Sequence, residues 1–526
     1  MADAHPRSFA RAAALMGVAA VTSRLLGVVR EVVVAALFGA GDAKGAYVVA
    51  YSVPFLVQRL LLGGTLSIVF IPVLTRVRLR QDDRERAEVV AHLTGLVLVL
   101  GGSMVLLGQI LAPWIIPLAA PGFGAHPTAL AVSLTRILFV AMVFLALALY
   151  LTGYLQAHER FTVPAFAPLL FNLTVIGATL GFGPALGIHG LALAWVLGTL
   201  AQFLVQIPAA RRAGFRFRIR LGVRHPAVQE VVRLALPAML GLAVVELNAY
   251  VDRIFASFLR PQGAVNAVAV LDYAYEVVQA PVGFFAISIA TALFPTLSRQ
   301  AGKGELGALG QTISLGLRAA LWCAAPVAAL YLAVPEVLVR VLFERFAFTP
   351  QATAAVSGAV AAYGAGLVSI SCYVVLTRAY YALQDMRTPL RVGACMIPLN
   401  ALLDWVLMRV WGHVGIALAT SVVSTVNVGV LWWLLRRRLE TLEPGRVWRT
   451  ALRAALGAAA VGLLVWGMMG VLRDALGSGL VGETIRLVAA LGIAGGVYLG
   501  SSLVLRAEEA RWVLGLVRRG AAPVGS

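Results

Sequence analysis

The chain has 526 residues, of which 60% are hydrophobic and only 13% charged, and its formal net charge is +19. Soluble globular proteins are about 45–50% apolar and about 25% charged, so this composition excludes a soluble enzyme, a disordered protein and a disulfide scaffold. It predicts an all-α polytopic membrane protein.

Fourteen apolar stretches are long enough to cross a bilayer as helices, since a crossing needs about 20 predominantly apolar residues. Their predicted bounds, in chain order, are about 10–39, 46–75, 90–117, 128–156, 163–186, 188–210, 231–259, 266–297, 311–338, 353–383, 388–410, 414–435, 450–472 and 484–505. Arg24 and Arg30 interrupt the first stretch, which stays apolar as far as Leu37. We therefore interpret it as a retained helix rather than a cleaved signal peptide.

The connections between these stretches alternate between arginine-rich and nearly neutral. The arginine-rich connections lie at 76–86, 211–224, 299–303, 387–391 and 436–449. The positive-inside rule predicts that this set is cytoplasmic, which also places both termini in the cytoplasm. Most of the +19 charge is then explained by membrane topology, and we expect no nucleic-acid partner.

The chain contains an internal duplication. Arg30 in the first half is matched by Arg253 in the second, and Pro164 is matched by Pro389 at nearly the same spacing along the chain. Each repeat holds six predicted helices, an even number, so the two repeats have the same orientation in the membrane. Transporters built from such parallel repeats place a central cavity and its binding site at the repeat interface.

This duplication defines the predicted organisation of the chain. Residues 1–220 form an N-lobe of helices 1–6, and residues 221–440 form a C-lobe of helices 7–12. Residues 441–526 follow the duplication and comprise helices 13–14 and a cytoplasmic tail.

Several ionisable residues fall inside predicted helices, where each costs about 2.5–3.5 kcal/mol at the helix centre and so needs a partner, a cavity or a function. Arg24 and Arg30 have side chains suited to bind the phosphate oxygens of an anionic head group. The alternative is that Arg30–Glu31 and Asp252–Arg253 are ion pairs, within a helix or between helices, that orient the two repeats. Candidates for further cavity or coupling charges are Glu31, Asp252, Arg253, Asp272 and Glu276.

No catalytic or metal-binding motif is visible in the sequence. The seven histidines are scattered singly, without metal-ligand spacing. Neither a P-loop nor a Gly-x-Ser-x-Gly motif is present. We therefore predict no enzyme activity, no metal site and no cofactor.

The strings Ser23-Arg-Leu-Leu-Gly-Val-Val-Arg-Glu31 and Leu37-Phe-Gly-Ala40 resemble the first-helix signature of the MurJ (MviN) family of lipid II flippases. Arg160-Phe-Thr-Val-Pro-Ala-Phe-Ala-Pro168 and Ile254-Phe-Ala-Ser-Phe-Leu259 are similar to later family strings, and the resemblance runs in order from about residue 10 to 440. It implies the fold of the multidrug/oligosaccharidyl-lipid/polysaccharide exporter superfamily, two six-helix bundles in a V. In this family two extra helices form a groove for the lipid tail.

The resemblance implies a transporter of peptidoglycan biosynthesis, and hence of cell wall biogenesis and cell shape. Such a protein moves the undecaprenyl-linked precursor lipid II from the inner to the outer leaflet of a bacterial inner membrane by alternating access. The implied partners are lipid II or a related polyprenyl-linked substrate and membrane lipids, with the cell-wall synthesis machinery as a further candidate. A membrane potential or an ion gradient is left open as the driving force.

The resemblance also assigns the head-group pyrophosphate to Arg24, Arg30 and Arg59. Arg24 and Arg30 match two family arginines required for transport, and Arg59 matches the second arginine of the family's helix-two pair. The chain lacks family charges at five positions, namely Gly45, Gln58, Gly63, Tyr275 and Gln279. Either the contacts to the head group are rebalanced, or the substrate differs. The alternative functions are an exporter of another polyprenyl-linked glycan or of a cation, and a membrane scaffold that transports nothing.

Overall fold

The computed structural model describes residues 5–58, 73–75, 83–222, 225–226, 228–231, 233, 250–259, 265–439, 441–477, 479–504 and 509. Its helices over these ranges, numbered in chain order, are α1 His5–Phe38, α2 Asp42–Gln58, α3 Asp83–Ala119, α4 Ala125–Ala157, α5 Thr162–Leu186, α6 Ile188–Leu204, α7 Ile207–Arg212, α8 Ala267–Gly302, α9 Leu306–Ala333, α10 Pro335–Phe343, α11 Pro350–Ala382, α12 Arg387–Arg438, α13 Pro444–Leu476 and α14 Leu480–Val504. Most of predicted span 231–259, and the second half of span 46–75, lie outside the described residues.

Ten of these helices are long and apolar enough to cross a membrane, which confirms the predicted all-α membrane class for the described part of the chain. One of the ten, α12, contains two predicted spans. Gly412 breaks it with φ +55° and ψ −132°, between the predicted spans 388–410 and 414–435. A positive φ is accessible to glycine without steric cost, so this residue permits the turn.

The predicted span 311–338 is wrong at its carboxyl end. Helix α9 ends at Ala333, and the separate helix α10 begins at Pro335. Proline has no amide hydrogen to donate and disfavours the helical conformation in the residue before it, and Val334 accordingly adopts φ −138° and ψ 44°.

The internal duplication is confirmed by backbone geometry at matched positions. Glu159 and Gln384, which are separated by the same spacing as Pro164 and Pro389, both adopt positive φ, at 59° and 58°. The same spacing joins Gly187, with φ 56° and ψ −141°, to Gly412. Because positive φ is rare outside glycine, its recurrence at a fixed spacing indicates that the turns themselves were duplicated.

The chain packs as two compact units. The first comprises Met1–Ala269 with Arg345–Phe348, and the second comprises Val270–Glu344 with Thr349–Ser526. These units reflect packing, whereas the lobe boundaries predicted at 220 and 440 reflect the sequence duplication and remain predictions.

Helices α13 and α14 belong to the second unit and pack against α9. The indole Nε1 of Trp322 on α9 donates a hydrogen bond to Ser502 Oγ at 3.0 Å. The hydroxyl of Tyr498 on α14 donates to the Trp322 carbonyl oxygen at 2.8 Å. The buried Val461 and Val465 of α13 complete this apolar cluster, so the helices that follow the duplication are bound to the repeat through polar and apolar contacts.

Within the first unit, the connections between helices meet in two groups. Arg220, in an arginine-rich connection, pairs with Glu88 at the start of α3 at 2.6 Å. In the other group, the backbone amide of Asn266 donates to the Ala40 carbonyl oxygen at 2.8 Å. The sequence assigns the connections joined by the first contact to the cytoplasmic side, and those joined by the second contact to the opposite side. Each contact therefore joins two connections that are predicted to lie on one side of the membrane.

Candidate functional site

A charged cluster lies beside the last turns of α1, in the first unit. The Nη2 and Nε atoms of Arg30 donate to Glu31 Oε1 at 2.9 and 3.2 Å. Glu31 precedes the end of α1 by seven residues, about 10 Å along the helix axis. The ion pair therefore lies within an apolar part of the chain. Its presence confirms the alternative that these two adjacent residues pair with each other.

Glu31 has a second cationic partner in Lys44, in the first turn of α2. Lys44 Nζ lies 3.4 Å from Glu31 Oε2, and the residue is only 2% exposed. Its ammonium group also lies 5.7 Å from the centre of the Tyr47 ring. One carboxylate thus faces two cations.

Asn172 of α5 fixes this cluster against α1. Its side-chain oxygen accepts a hydrogen bond from Arg30 Nη1 at 3.1 Å. Its amide nitrogen donates to the carbonyl oxygens of Ser23 and Pro168 at 3.3 and 3.1 Å. Since Ser23 and Arg30 are seven residues apart, about two turns, a single side chain binds the same face of α1 at two levels.

An aromatic ring lies next to the Arg30 guanidinium. The Arg30 Cζ atom lies 5.1 Å from the ring centre of Trp195 on α6. Phe171 and Tyr51 pack on the same indole, with ring centres at 5.0 and 6.0 Å. We call Arg30, Glu31, Lys44, Asn172 and Trp195 the Arg30 network.

Arg24 lies on a different side of α1 from this network. The helix is continuous from His5 to Phe38, and Arg24 is exposed. At 100° per residue, the six residues from Arg24 to Arg30 separate the two side chains by about 120° around the axis. The two arginines therefore contribute charge to two faces of α1 rather than to one.

The other predicted charges lie on other segments of the chain. The guanidinium of Arg253 lies 5.3 Å from the ring of Tyr250, and both Arg253 and Asp252 are half-buried in the first unit. Asp272, half-buried, and Glu276, exposed, lie on α8 in the second unit. Arg59 and Gly63 lie outside the described residues, as does the side chain of Gln58.

The structure describes the surroundings of three positions at which the resemblance implies charges. A Cβ atom at Gly45 would lie 2.5 Å from the Asn266 side chain, whose amide nitrogen instead donates to Asp42 Oδ1 at 2.8 Å. At the other two positions, on α8, the Gln279 amide donates to the Tyr275 hydroxyl. Neutral groups that bond to each other thus stand at Tyr275 and Gln279, where the resemblance implies charges.

Sequence reasoning missed Lys44, Asn172 and Trp195. A signal for Lys44 was present, because the chain contains only two lysines and one of them adjoins the first membrane helix. Asn172 and Trp195 lie far from Arg30 in the sequence, on α5 and α6, and no local pattern predicts that they meet it.

At the arginine-rich end of the first unit, residues 213–222, which we call the strap, cross α3. The Arg220 amide donates to the Ala91 carbonyl oxygen at 3.1 Å. Just past the strap, the His225 ring stacks on that of His92, with centres 4.3 Å apart. Burial, and secondarily the neighbouring His92, lower the pKa of His225 from its ordinary value of 6.5, against the opposing effect of Glu88 and Glu85.

We expect the strap to loosen as the pH falls. A histidine whose pKa is lowered by folding contributes stability above its unfolded pKa of about 6.5, and this contribution is lost as the pH falls through the folded value. Amide hydrogen exchange over 213–222, corrected for the intrinsic rate, should therefore accelerate from pH 7.5 to pH 5.5. His225→Gln should remove this dependence. An equal acceleration in the variant would show that another group titrates.

Comparisons with known proteins identify a matching family model and similar relatives. A family model described as "Lipid II flippase MurJ" matches residues 34–485. A probable lipid II flippase MurJ of Vibrio cholerae is 30% identical over 495 residues, covering 92% of this chain and 93% of the relative. The lipid II flippase MurJ of Burkholderia cenocepacia is 32% identical over 457 residues, covering 84% and 87%.

Solved structures agree in fold. A lipid II flippase MurJ in an inward closed conformation has a TM-score of 0.78 at 22% identity, covering 94% of this chain and 99% of the other. An inward-facing multidrug resistance MATE family transporter of the MOP superfamily has a TM-score of 0.67 at 15% identity, covering 80% and 96%. These likenesses confirm the predicted superfamily fold.

Proposed function

The chain belongs to the lipid II flippase MurJ family, and on that premise we propose that it moves lipid II from the inner to the outer leaflet of a bacterial cytoplasmic membrane by alternating access. The observation that carries the proposal is the family match over 34–485, which includes both repeats. The proposed transport uses no cofactor. In this proposal a membrane potential or an ion gradient biases the direction of transport.

Complementation tests the proposed function. Expression in a bacterium depleted of its own lipid II flippase should prevent lysis and restore growth. Purified protein in vesicles should also expose fluorescent lipid II from the inner leaflet to an external probe. Stable, membrane-embedded protein that fails both assays would favour another polyprenyl-linked substrate or a scaffold.

We assign the substrate pyrophosphate to Arg24, Arg30 and Arg59. Support comes from the Arg30 network, in which the cations Arg30 and Lys44 both contact the Glu31 carboxylate. In this proposal Arg24 contacts the head group, while Arg30 shares its donors between Glu31 and the substrate. Asp252, Arg253, Asp272 and Glu276 are proposed coupling charges.

We assign the lipid tail to an apolar groove of the second unit. The groove has a volume of about 690 Å³ and lies between α9 and α13, and Val368 of α11 also lines it. Its walls are mainly alanine, including Ala325, Ala329, Ala455 and Ala458, and Trp466 is a further lining residue. Small side chains leave an open channel that a polyprenyl chain can fill by apolar burial.

Filling this groove should impair transport. Ala455→Trp places an indole in the channel, and we expect the transport rate to fall at least about tenfold, the equivalent of ~1.4 kcal/mol. Leu456→Trp is the matched control, since Leu456 is exposed on the same helix but does not line the groove. Equal rates for the two variants would remove the tail from this position.

We further propose that the arginine-rich connections and both termini are cytoplasmic and that lipid II passes to cell-wall synthesis enzymes outside. In a background without Cys323, Cys372 and Cys395, a cysteine at Gly124 should react with an impermeant thiol reagent in intact cells. A cysteine at Arg84 should react only after the membrane is opened. The reverse pattern would invert the proposed orientation.

A further inference from the structure

A basic pocket lies at the arginine-rich end of the first unit, apart from the Arg30 network. It has a volume of about 450 Å³, and three arginines line it, Arg86, Arg216 and Arg218. The described residues that line it include no aspartate or glutamate. A concave site with this charge attracts an anion.

The local structure explains why these arginines converge. Phe215 is buried and packs edge-on against Tyr154, with ring centres 5.1 Å apart. The Tyr154 hydroxyl donates to the Ala213 carbonyl oxygen at 3.2 Å, which fixes the start of the strap on α4. Gly214, with φ +90°, makes the turn between these two anchors. The anchored strap then directs Arg216 and Arg218 to the pocket.

Glu88, two residues beyond Arg86 in the sequence, is engaged with the strap. Glu88 pairs with Arg220, the third arginine of the alternating series that begins at Arg216, at 2.6 Å. This pair holds the strap to α3 without neutralising the two arginines of the strap that line the pocket. This ion pair therefore anchors the strap through Arg220 and does not involve Arg216 or Arg218.

The rest of the lining is suited to a group that is anionic and only partly polar. Leu74, Ala87 and Val90 form an apolar wall, and the rings of Tyr154 and His158 form a second one, with centres 4.2 Å apart. Guanidinium groups bind phosphate oxygens bidentately, and basic pockets between membrane helices near the aqueous boundary bind anionic lipid head groups.

We propose that this pocket binds the phosphodiester head group of an anionic glycerophospholipid, with the phosphate on Arg216, Arg218 and Arg86 and the glycerol against the apolar wall. The proposal concerns a resident lipid rather than the transported one, and it does not depend on the proposed function. A soluble phosphate offers the same anion without the acyl chains, so the two sources can be distinguished by experiment.

The test measures thermal unfolding of the full chain in phosphatidylcholine nanodiscs, with and without phosphatidylglycerol. Phosphatidylglycerol should raise the unfolding temperature of the unmodified chain, and native mass spectrometry should show one retained phosphatidylglycerol. In the double variant Arg216→Gln/Arg218→Gln, the apparent affinity should fall at least about tenfold. Arg211→Gln/Arg212→Gln is the matched control, because it removes the same charge from exposed residues outside the pocket.

Three outcomes distinguish a specific lipid site from a diffuse charge effect and from a site for soluble phosphate. Equal losses in the two double variants would overturn the proposal, since they would indicate a diffuse charge effect. Stabilisation by millimolar glycerol phosphate, with none by phosphatidylglycerol, would overturn the lipid source. Recovery of lipid binding in Arg216→Lys/Arg218→Lys, together with normal elution of the glutamine variant on size exclusion, would support a site that recognises charge in a folded protein.

Discussion

Replacing Arg24 with alanine should abolish lipid II transport while the amount of folded, membrane-embedded protein stays near the unmodified level. Arg24 lies on an exposed side of α1, about 120° around the axis from Arg30, so its loss leaves Glu31 with both of its cations. Pyrophosphate binding needs delocalised charge and several fixed donors, which arginine provides. Lysine provides only a point charge. Arg24→Lys should therefore restore transport only in part.

Glu31→Ala provides the contrast to the Arg24 variants. It leaves Arg30 and Lys44 facing each other with no carboxylate between them, and stranding a buried charge costs about 3–5 kcal/mol. Protein levels should fall together with transport. Growth of the depleted strain, divided by the immunoblot signal from the membrane fraction, separates the two effects. An abundant and fully active Arg24→Ala protein would contradict the head-group assignment.

Removing Glu509 should destabilise the second unit strongly. Its Oε1 atom lies 2.6 Å from Arg318 Nε and accepts from Thr450 Oγ1 at 3.1 Å, and both charged residues are buried. Glu509→Ala leaves Arg318 buried without this carboxylate, so we expect a loss of about 3–5 kcal/mol in the free energy of unfolding. Thermal unfolding in detergent measures it.

Two further variants make this measurement specific. Arg318→Met combined with Glu509→Ala removes both charges and should recover most of the lost stability, because no unpaired ion remains. Arg446→Ala breaks an exposed ion pair with Glu443 and should cost less than about 1 kcal/mol. If Glu509→Ala cost no more than Arg446→Ala, the buried pair would not contribute to the stability of this unit.

Hydropathy predicted most of the membrane helices because a bilayer crossing needs a long apolar stretch, whatever its neighbours. The turn at Gly412 lay between two such stretches and was placed correctly. The end of α9 was not, since apolar residues continue past Val334 and only Pro335 marks the break. Local composition does not distinguish a membrane helix that continues from one that ends and is followed by a second helix.

The candidate site was predictable only where its residues are neighbours in sequence. Arg30 and Glu31 are adjacent, so their pairing was one of two alternatives that the sequence offered. Asn172 and Trp195 reach Arg30 only because α5 and α6 pack beside α1, and such tertiary contacts have no signature in a single sequence. The Lys44 ammonium, by contrast, belongs to the helix that directly follows Glu31 and α1 in the chain.

The burial of Lys44 has a practical consequence for chemical labelling. The chain has only one other lysine, Lys303, which is exposed with 63% of its side chain accessible. An amine-specific acylating reagent should consequently modify Lys303 quickly, and Lys44 only when its contact with Glu31 opens. The rate at which an adduct forms on Lys44, measured by mass spectrometry, would thus report the opening of the Arg30 network without any engineered probe.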